Sequence, residues 1–194
     1  MQFEYAPGAT PLDPDEIAGL KPLHITTQGQ LNEWESENIL KAENWAFSNL
    51  FHGKYLKIDF IQLLHKKMFD ETWRWAGLFR TTNKNIGIES LHIRIELTNL
   101  MDDIIYQIKN GSYSLDEIAY RFHHRLVSIH PFPNGNGRHA RMMSDILLVH
   151  AGLPRFTWGS QKIEAAGPIR RQYIDALRDA DRRDYATLAA FVRS

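Results

Sequence analysis

Apolar residues recur at helical spacing over most of the chain. Leu31, Trp34, Ile39, Leu40 and Trp45 set out the inward face of a helix over Leu31–Leu50. Phe60, Leu63, Leu64 and Met68 mark the inward face of a second, which Asp59 is placed to cap and which runs through Phe69. Further helical stretches fall near Glu96–Lys109, Leu115–Ile129, Arg138–Ala151, Pro168–Ala180 and Tyr185–Val192. Residues 1–29 read differently. Pro7, Gly8, Pro11, Pro14, Gly19, Pro22 and Gly29 predict an extended arm, with a short helix near Asp15–Leu20, ahead of one domain spanning 30–194. Between Leu78 and Ile93 the period changes. Thr81, Thr82, Ile86, Ile88 and Ile93 are punctuated by Asn83, Asn85 and Gly87, which predicts a small β-hairpin. The expected fold class is mainly α, a single-domain helical bundle carrying one hairpin.

Composition narrows the function only by exclusion. The chain has 194 residues, 43% of them hydrophobic and 24% charged, ordinary values for one globular domain. Its 23 basic and 23 acidic residues cancel, so no global field recruits nucleic acid or a membrane surface, and neither is expected as a partner. There is no cysteine, which excludes disulfides and thiol nucleophiles and suits a reducing cytoplasm. No apolar run approaches the ~18 residues of a membrane span, and Met1-Gln2-Phe3-Glu4 lacks the basic start of a signal peptide.

The chemistry concentrates in His130-Pro131-Phe132-Pro133-Asn134-Gly135-Asn136-Gly137-Arg138-His139-Ala140-Arg141. The two prolines stop a helix arriving from the N-terminal side. Gly135 and Gly137 let the backbone turn tightly and approach a ligand. The helix that follows begins at this loop, and its unpaired N–H groups and dipole attract anions. Arg138 and Arg141 lie one turn apart and can face the same side. His130 titrates near neutrality and is suited to act as a base at the edge of that site. The local reading is a phosphate-binding helix start beside a histidine. His123 and His124 lie about 100° apart on a helix, and no standard ligand spacing joins any of these histidines into a zinc site.

This segment resembles the signature of the Fic family (Fic/Doc, or Fido), written H-P-F-x-D/E-G-N-G-R-x-x-R, and departs from it at Asn134, where the family has an acid. The ending HPFPNGNGRHAR also resembles the Fic subgroup called mobile mystery protein B. His65-x3-Phe69, Trp75-Ala76-Gly77 and Arg80 resemble a second family landmark ahead of a hairpin called the flap. Tyr173-Ile174-Asp175-Ala176-Leu177 and Asp184-Tyr185 through Phe191-Val192 are similar to its closing helices. The resemblance spans roughly residues 31 to 193.

The resemblance implies a protein nucleotidyltransferase, an AMPylator moving AMP from ATP to a Ser, Thr or Tyr hydroxyl of a target protein, with His130 as general base. Gly135, Asn136 and Gly137 would form the anion hole, with the Asn136 amide among its donors. Arg138 and Arg141 would orient the nucleotide and steady the departing pyrophosphate. Asn134 stands where an acid helps hold Mg²⁺ or Mn²⁺. A neutral side chain there implies weaker metal use, because Mg²⁺ prefers one or two carboxylates. The flap at Ile86, Gly87 and Ile88 would clamp the target's extended segment by strand addition. Many family members are restrained by a glutamate on an N-terminal helix. Glu37 sits in the expected helix without the full pattern, and a separate antitoxin chain is the alternative restraint. Two other readings stand beside this one: a catalytically weak or inactive nucleotide-sensing or peptide-docking module, and transfer of another nucleoside monophosphate or a phosphoryl group.

Overall fold

The computed structural model describes residues 10–49, 54–160, 163 and 167–194. Within them the chain forms α1 (Pro14–Ile17), α2 (Gln28–Ser48), α3 (Ile58–Phe69), α4 (Ile93–Asn110), α5 (Leu115–Ile129), α6 (Asn136–His150), α7 (Pro168–Asp181) and α8 (Ala186–Val192). Single 3₁₀ turns lie at Ser90–His92 and Trp158–Ser160. Pro7, Gly8 and Leu50 of the expected arm and helix lie outside the described residues.

The ends of the helices follow local chemistry. The Thr27 hydroxyl accepts the Gln30 N–H at 3.2 Å to start α2, and Ser114 does the same for the Glu117 N–H to start α5. Gly111, at φ 57°, closes α4 in the left-handed conformation that glycine adopts freely. Pro168 opens α7, where its missing N–H costs nothing.

Helices α5 and α6 pack against each other most extensively, with α2 on α3, α4 on α5 and α7 on α8. The core they share includes Ile61, Leu64, Met68, Phe122, Phe132, Ile146 and Leu188. No described helix is long and apolar enough to cross a membrane. The described part of the arm packs onto this body. Leu12 and Ile25 reach the core, and Leu20 forms a single antiparallel bridge with Trp73.

Two helix faces differ from expectation. On α2 the buried positions are Leu31, Glu35, Asn38, Ala42 and Ala46, while Leu40 is 57% exposed. Small and polar residues face inward here because each polar one finds a partner. Asn38 takes the Glu71 N–H and donates to the Lys67 carbonyl, and Glu35 is held at the site described below. On α3, Leu63 turns outward and Ile61, His65 and Phe69 turn in. Asp59 sits inside the first turn of α3 rather than capping it, since Lys57 holds the N-cap position.

The expected hairpin is absent as such: residues 78–89 contain no strand. Their carbonyls are gathered by a side chain rather than by a cross-strand ladder. The Arg80 guanidinium donates to the Thr82 carbonyl at 2.8 Å and to the Ile88 carbonyl, and the Ser90 N–H donates to Asn83 Oδ1 at 2.9 Å.

Candidate active site

His130 ends α5 in a left-handed conformation, φ 53°, with its N–H on the Leu126 carbonyl. Pro131 follows and cannot continue the ladder. The turn is held from the flap side, where Arg80 Nε donates to the His130 carbonyl at 2.6 Å and the Arg80 N–H donates to the Pro131 carbonyl at 3.0 Å. Gly87, at φ 98°, lies against the same turn. A Cβ there would sit 2.6 Å from His130 Cβ, so the flap can press this close only through glycine.

The His130 ring is 6% exposed, and its pKa is lowered to about 4. Burial is the main cause, and the Arg80 and Lys84 charges add to it. The ring is therefore neutral at pH 7. Its Nε2 is hydrogen-bonded to the Thr10 hydroxyl at 3.0 Å.

Beyond His130 the loop is pinned from beneath. Phe132 is fully buried and stacks on His65, ring centroids 3.7 Å apart. Phe132 thereby anchors the loop in the core. His65 takes the Gly77 N–H on Nδ1, so its Nε2–H donates to the Asn134 carbonyl at 3.1 Å. Burial holds the His65 pKa well below its ordinary value. The histidine, Phe69 and the Trp-Ala-Gly run thus converge on one loop.

Gly135 occupies the N-cap of α6 at φ 77°, where a Cβ would lie 2.5 Å from the Phe69 ring. Asn136 braces the turn. Its Oδ1 accepts the Phe132 N–H at 2.9 Å, and its Nδ2 donates to the Phe132 carbonyl at 2.8 Å. The side-chain amide expected at an anion is thereby committed to the loop, and Asn136 can serve a ligand through its backbone N–H.

In the first turn of α6 the N–H groups of Asn136, Gly137 and Arg138 have no intrahelical acceptor. Arg138 lies over the Phe69 ring at 4.9 Å and pairs with Glu35 at 2.7 Å. Arg141 lies 5.8 Å from the Tyr173 ring, and a Cβ on Gly137 would be within 4.0 Å of both residues. His139 points away and donates to the Ile61 carbonyl at 3.0 Å. Asp145 does not balance these arginines: it is buried, accepting from Trp158 Nε1, the Phe156 N–H and Arg155.

Other expected residues are placed as follows. Ile86 is 40% exposed, Ile88 is half-buried against the core, and Glu37 is exposed on α2. The carboxylate that meets the motif from α2 is Glu35. Asn134 donates to the Thr10 carbonyl at 3.1 Å, and its Oδ1 accepts the Gly135 N–H at 2.6 Å. The loop offers no carboxylate to a divalent cation, and no cluster of three acidic, histidine or cysteine side chains suited to a metal occurs among the described residues. This donor set does not fit a protein-held Mg²⁺.

His65 and Arg80 stood out in the sequence only as members of the second landmark, and Glu35 and Thr10 had no role there. A carboxylate one residue off the apolar stripe was the only signal for Glu35, and Thr10 carried none.

Taken together, a helix N-terminus and two guanidiniums can hold a polyphosphate, and a neutral imidazole beside them can take a proton from a hydroxyl. Such an arrangement is chemically suited to group transfer. Residues 55–148 match the model of the Fic/DOC family, and the chain carries a Fic/DOC family domain.

Among curated relatives it is similar to the protein adenylyltransferase and cysteine protease IbpA of Histophilus somni, 35% identical over 134 residues, 67% of this chain and 3% of that protein. It is also similar to the protein adenylyltransferase Fic of Drosophila grimshawi, 36% identical over 120 residues, 60% of this chain and 23% of that one. The chain thus spans a small part of the length of these relatives. Among solved structures, BepC of Bartonella tribocorum with bound AMPPNP superposes with a TM-score of 0.70 at 18% identity, covering 93% of this chain and 97% of that one. The N-terminal Fic domain of a Bartonella quintana cell filamentation protein gives 0.72 at 20% identity, covering 91% and 87%. These likenesses establish the helical fold.

Proposed function

We propose that this chain is a protein adenylyltransferase, moving AMP from ATP to a Ser, Thr or Tyr hydroxyl of a protein. The observation that carries the reading is the hydroxyl already hydrogen-bonded to His130 Nε2 beside the α6 N-terminus. The names of the curated relatives and the AMPPNP bound to BepC support the adenine nucleotide.

In this reading the backbone N–H groups of Asn136, Gly137 and Arg138 receive phosphate oxygens, and Arg138 and Arg141 offset the charge that develops on the leaving pyrophosphate. Neutral His130 accepts the hydroxyl proton as oxygen attacks the α-phosphorus. Anionic phosphates nearby favour the imidazolium that forms. Any Mg²⁺ or Mn²⁺ arrives on the nucleotide's own oxygens and waters rather than in a protein cage. ATP as co-substrate and the absence of cysteine support a cytoplasmic location in this reading.

An external target docks along residues 85–89, where exposed Ile86 offers an apolar anchor and the backbone can add a strand. A separate regulatory chain such as an antitoxin is the alternative source of restraint to Glu37. The neutral, engaged Asn134 favours a second reading, a docking module with little turnover.

ATP labelled on the α- or the γ-phosphate decides between them when incubated with the chain and a cell extract. Transfer of α-label alone to protein, lost in His130→Ala, supports adenylyl transfer. Transfer of γ-label would make it a phosphoryl transfer, and neither label would leave the docking module.

A further inference from the structure

The segment that fills the acceptor position belongs to the chain itself. Thr10 is 5% exposed, and its hydroxyl lies within hydrogen-bond distance of His130 Nε2, at 3.0 Å. Its carbonyl accepts from Asn134 Nδ2 at 3.1 Å, so the residue is held on both sides of its own Cα by the motif loop.

The arm behind it is fastened across the flap. The Asp13 carboxylate accepts from Thr82 Oγ1 at 2.9 Å and Lys84 Nζ at 2.7 Å. Glu16 pairs with the same lysine at 2.6 Å, and its carbonyl accepts the Trp75 indole N–H at 2.9 Å. The Lys84 side chain is 3% exposed and that of Glu16 14%, so this pair is shielded from water and firmer than a surface pair, whereas Asp13 is 48% exposed. Leu12 is buried in the core. A chain fixed at Leu12, Asp13 and Glu16 has little freedom left at Thr10.

We propose that Thr10 is a modification site, the hydroxyl to which this chain transfers a nucleoside monophosphate in cis. The inference rests on the transferase reading above. The Thr10 Oγ–H proton passes to His130 Nε2 as Oγ forms a bond to the α-phosphorus of a nucleoside triphosphate. The bond from that phosphorus to the bridging oxygen breaks, and pyrophosphate leaves with the electron pair. His130 then returns its proton to water or to the pyrophosphate.

The positioning is what favours self-transfer. A tethered, aimed hydroxyl reaches effective concentrations far beyond those of a free protein target. While Thr10 occupies His130 Nε2, no external hydroxyl can.

The test uses the full chain with ATP, reading intact mass, peptide maps and pyrophosphate release at two protein concentrations. Thr10→Val keeps the shape of the side chain and removes the hydroxyl, Thr10→Ser keeps the hydroxyl, and His130→Ala is the control. The expected result is one adenylyl group on Thr10, formed with a rate constant unaffected by dilution. It persists on Ser in Thr10→Ser and is lost from the arm in Thr10→Val and His130→Ala.

If His130-dependent pyrophosphate release persists while the wild-type adduct is absent, lies elsewhere, or forms in proportion to protein concentration, the cis acceptor is overturned and the transferase reading stands. If no form of the chain, Thr10→Val included, gives His130-dependent pyrophosphate release or transfer, both readings fall.

Discussion

Glu35 and Arg138 close an ion pair of 2.7 Å between α2 and the first turn of α6, and the same carboxylate accepts the Trp73 indole N–H at 2.6 Å. Glu35 and Trp73 are both buried, and Arg138 is partly so, with 22% of its side chain exposed. Glu35→Ala leaves both donors short of an acceptor and should cost about 2–3 kcal/mol. Glu35→Gln, which keeps one acceptor oxygen, should cost less. Urea unfolding midpoints check this; two variants as stable as the parent would show that the pair holds nothing.

Arg80 joins the flap to the turn at His130, donating to the carbonyls of Thr82, Ile88, His130 and Ile129. A lysine cannot reproduce that planar fork. Arg80→Lys should lower kcat for transfer about tenfold to a hundredfold by loosening the base, with a smaller change in the KM for ATP. Steady-state kinetics with ATP varied would contradict this if kcat were unchanged.

Much of this arrangement could be read from sequence, for identifiable reasons. The loop 130–141 is contiguous, and its prolines, glycines and arginines each have a backbone or charge consequence that survives without the fold. Helix ends at Ser114, Gly111 and Pro168 were similarly local. The face of α2 was not, because the helix buries Ala42 and Ala46 and two polar residues whose partners, Trp73, Arg138 and the backbone of Lys67 and Glu71, are distant in sequence. The hairpin expected at the flap is not seen as paired strands, and one guanidinium gathers the carbonyls of Thr82 and Ile88. Thr10 is a single threonine in a proline-rich arm, and nothing periodic marks it.

Stability should fall on acidification. Burial lowers the pKa of His123 and His139 to about 3 and of His130 to about 4, and it lowers His65 as well. These rings stay neutral in the folded chain, whereas the unfolded chain protonates them near pH 6.5. Their contribution is present above that pH and is lost as pH falls towards the folded values, by about 1.4 kcal/mol per pH unit for each histidine. Asp145 opposes them. Burial raises its pKa to about 6, so protonating it between that value and the ordinary carboxylate range favours the folded chain. One carboxyl group against several histidines leaves a net loss. Urea midpoints that stay level or rise between pH 7 and pH 4.5 would contradict this balance.

Asn134→Asp places a carboxylate in the loop where the chain has a neutral amide. Chelation with EDTA should then slow transfer by the variant more than by the parent, and added Mg²⁺ or Mn²⁺ should accelerate the variant more. Equal responses would remove position 134 from metal use.

In the proposed transferase, phosphate holding falls to the α6 terminus with Arg138 and Arg141, and proton transfer to His130. Calorimetric titration of ATP into His130→Ala and Arg141→Ala, paired with transfer assays, separates those roles most directly. His130→Ala should retain the parent's ATP affinity and lose transfer, while Arg141→Ala should lose affinity. Transfer by His130→Ala at the parent's rate, or ATP affinity indifferent to Arg141, would contradict the assignment.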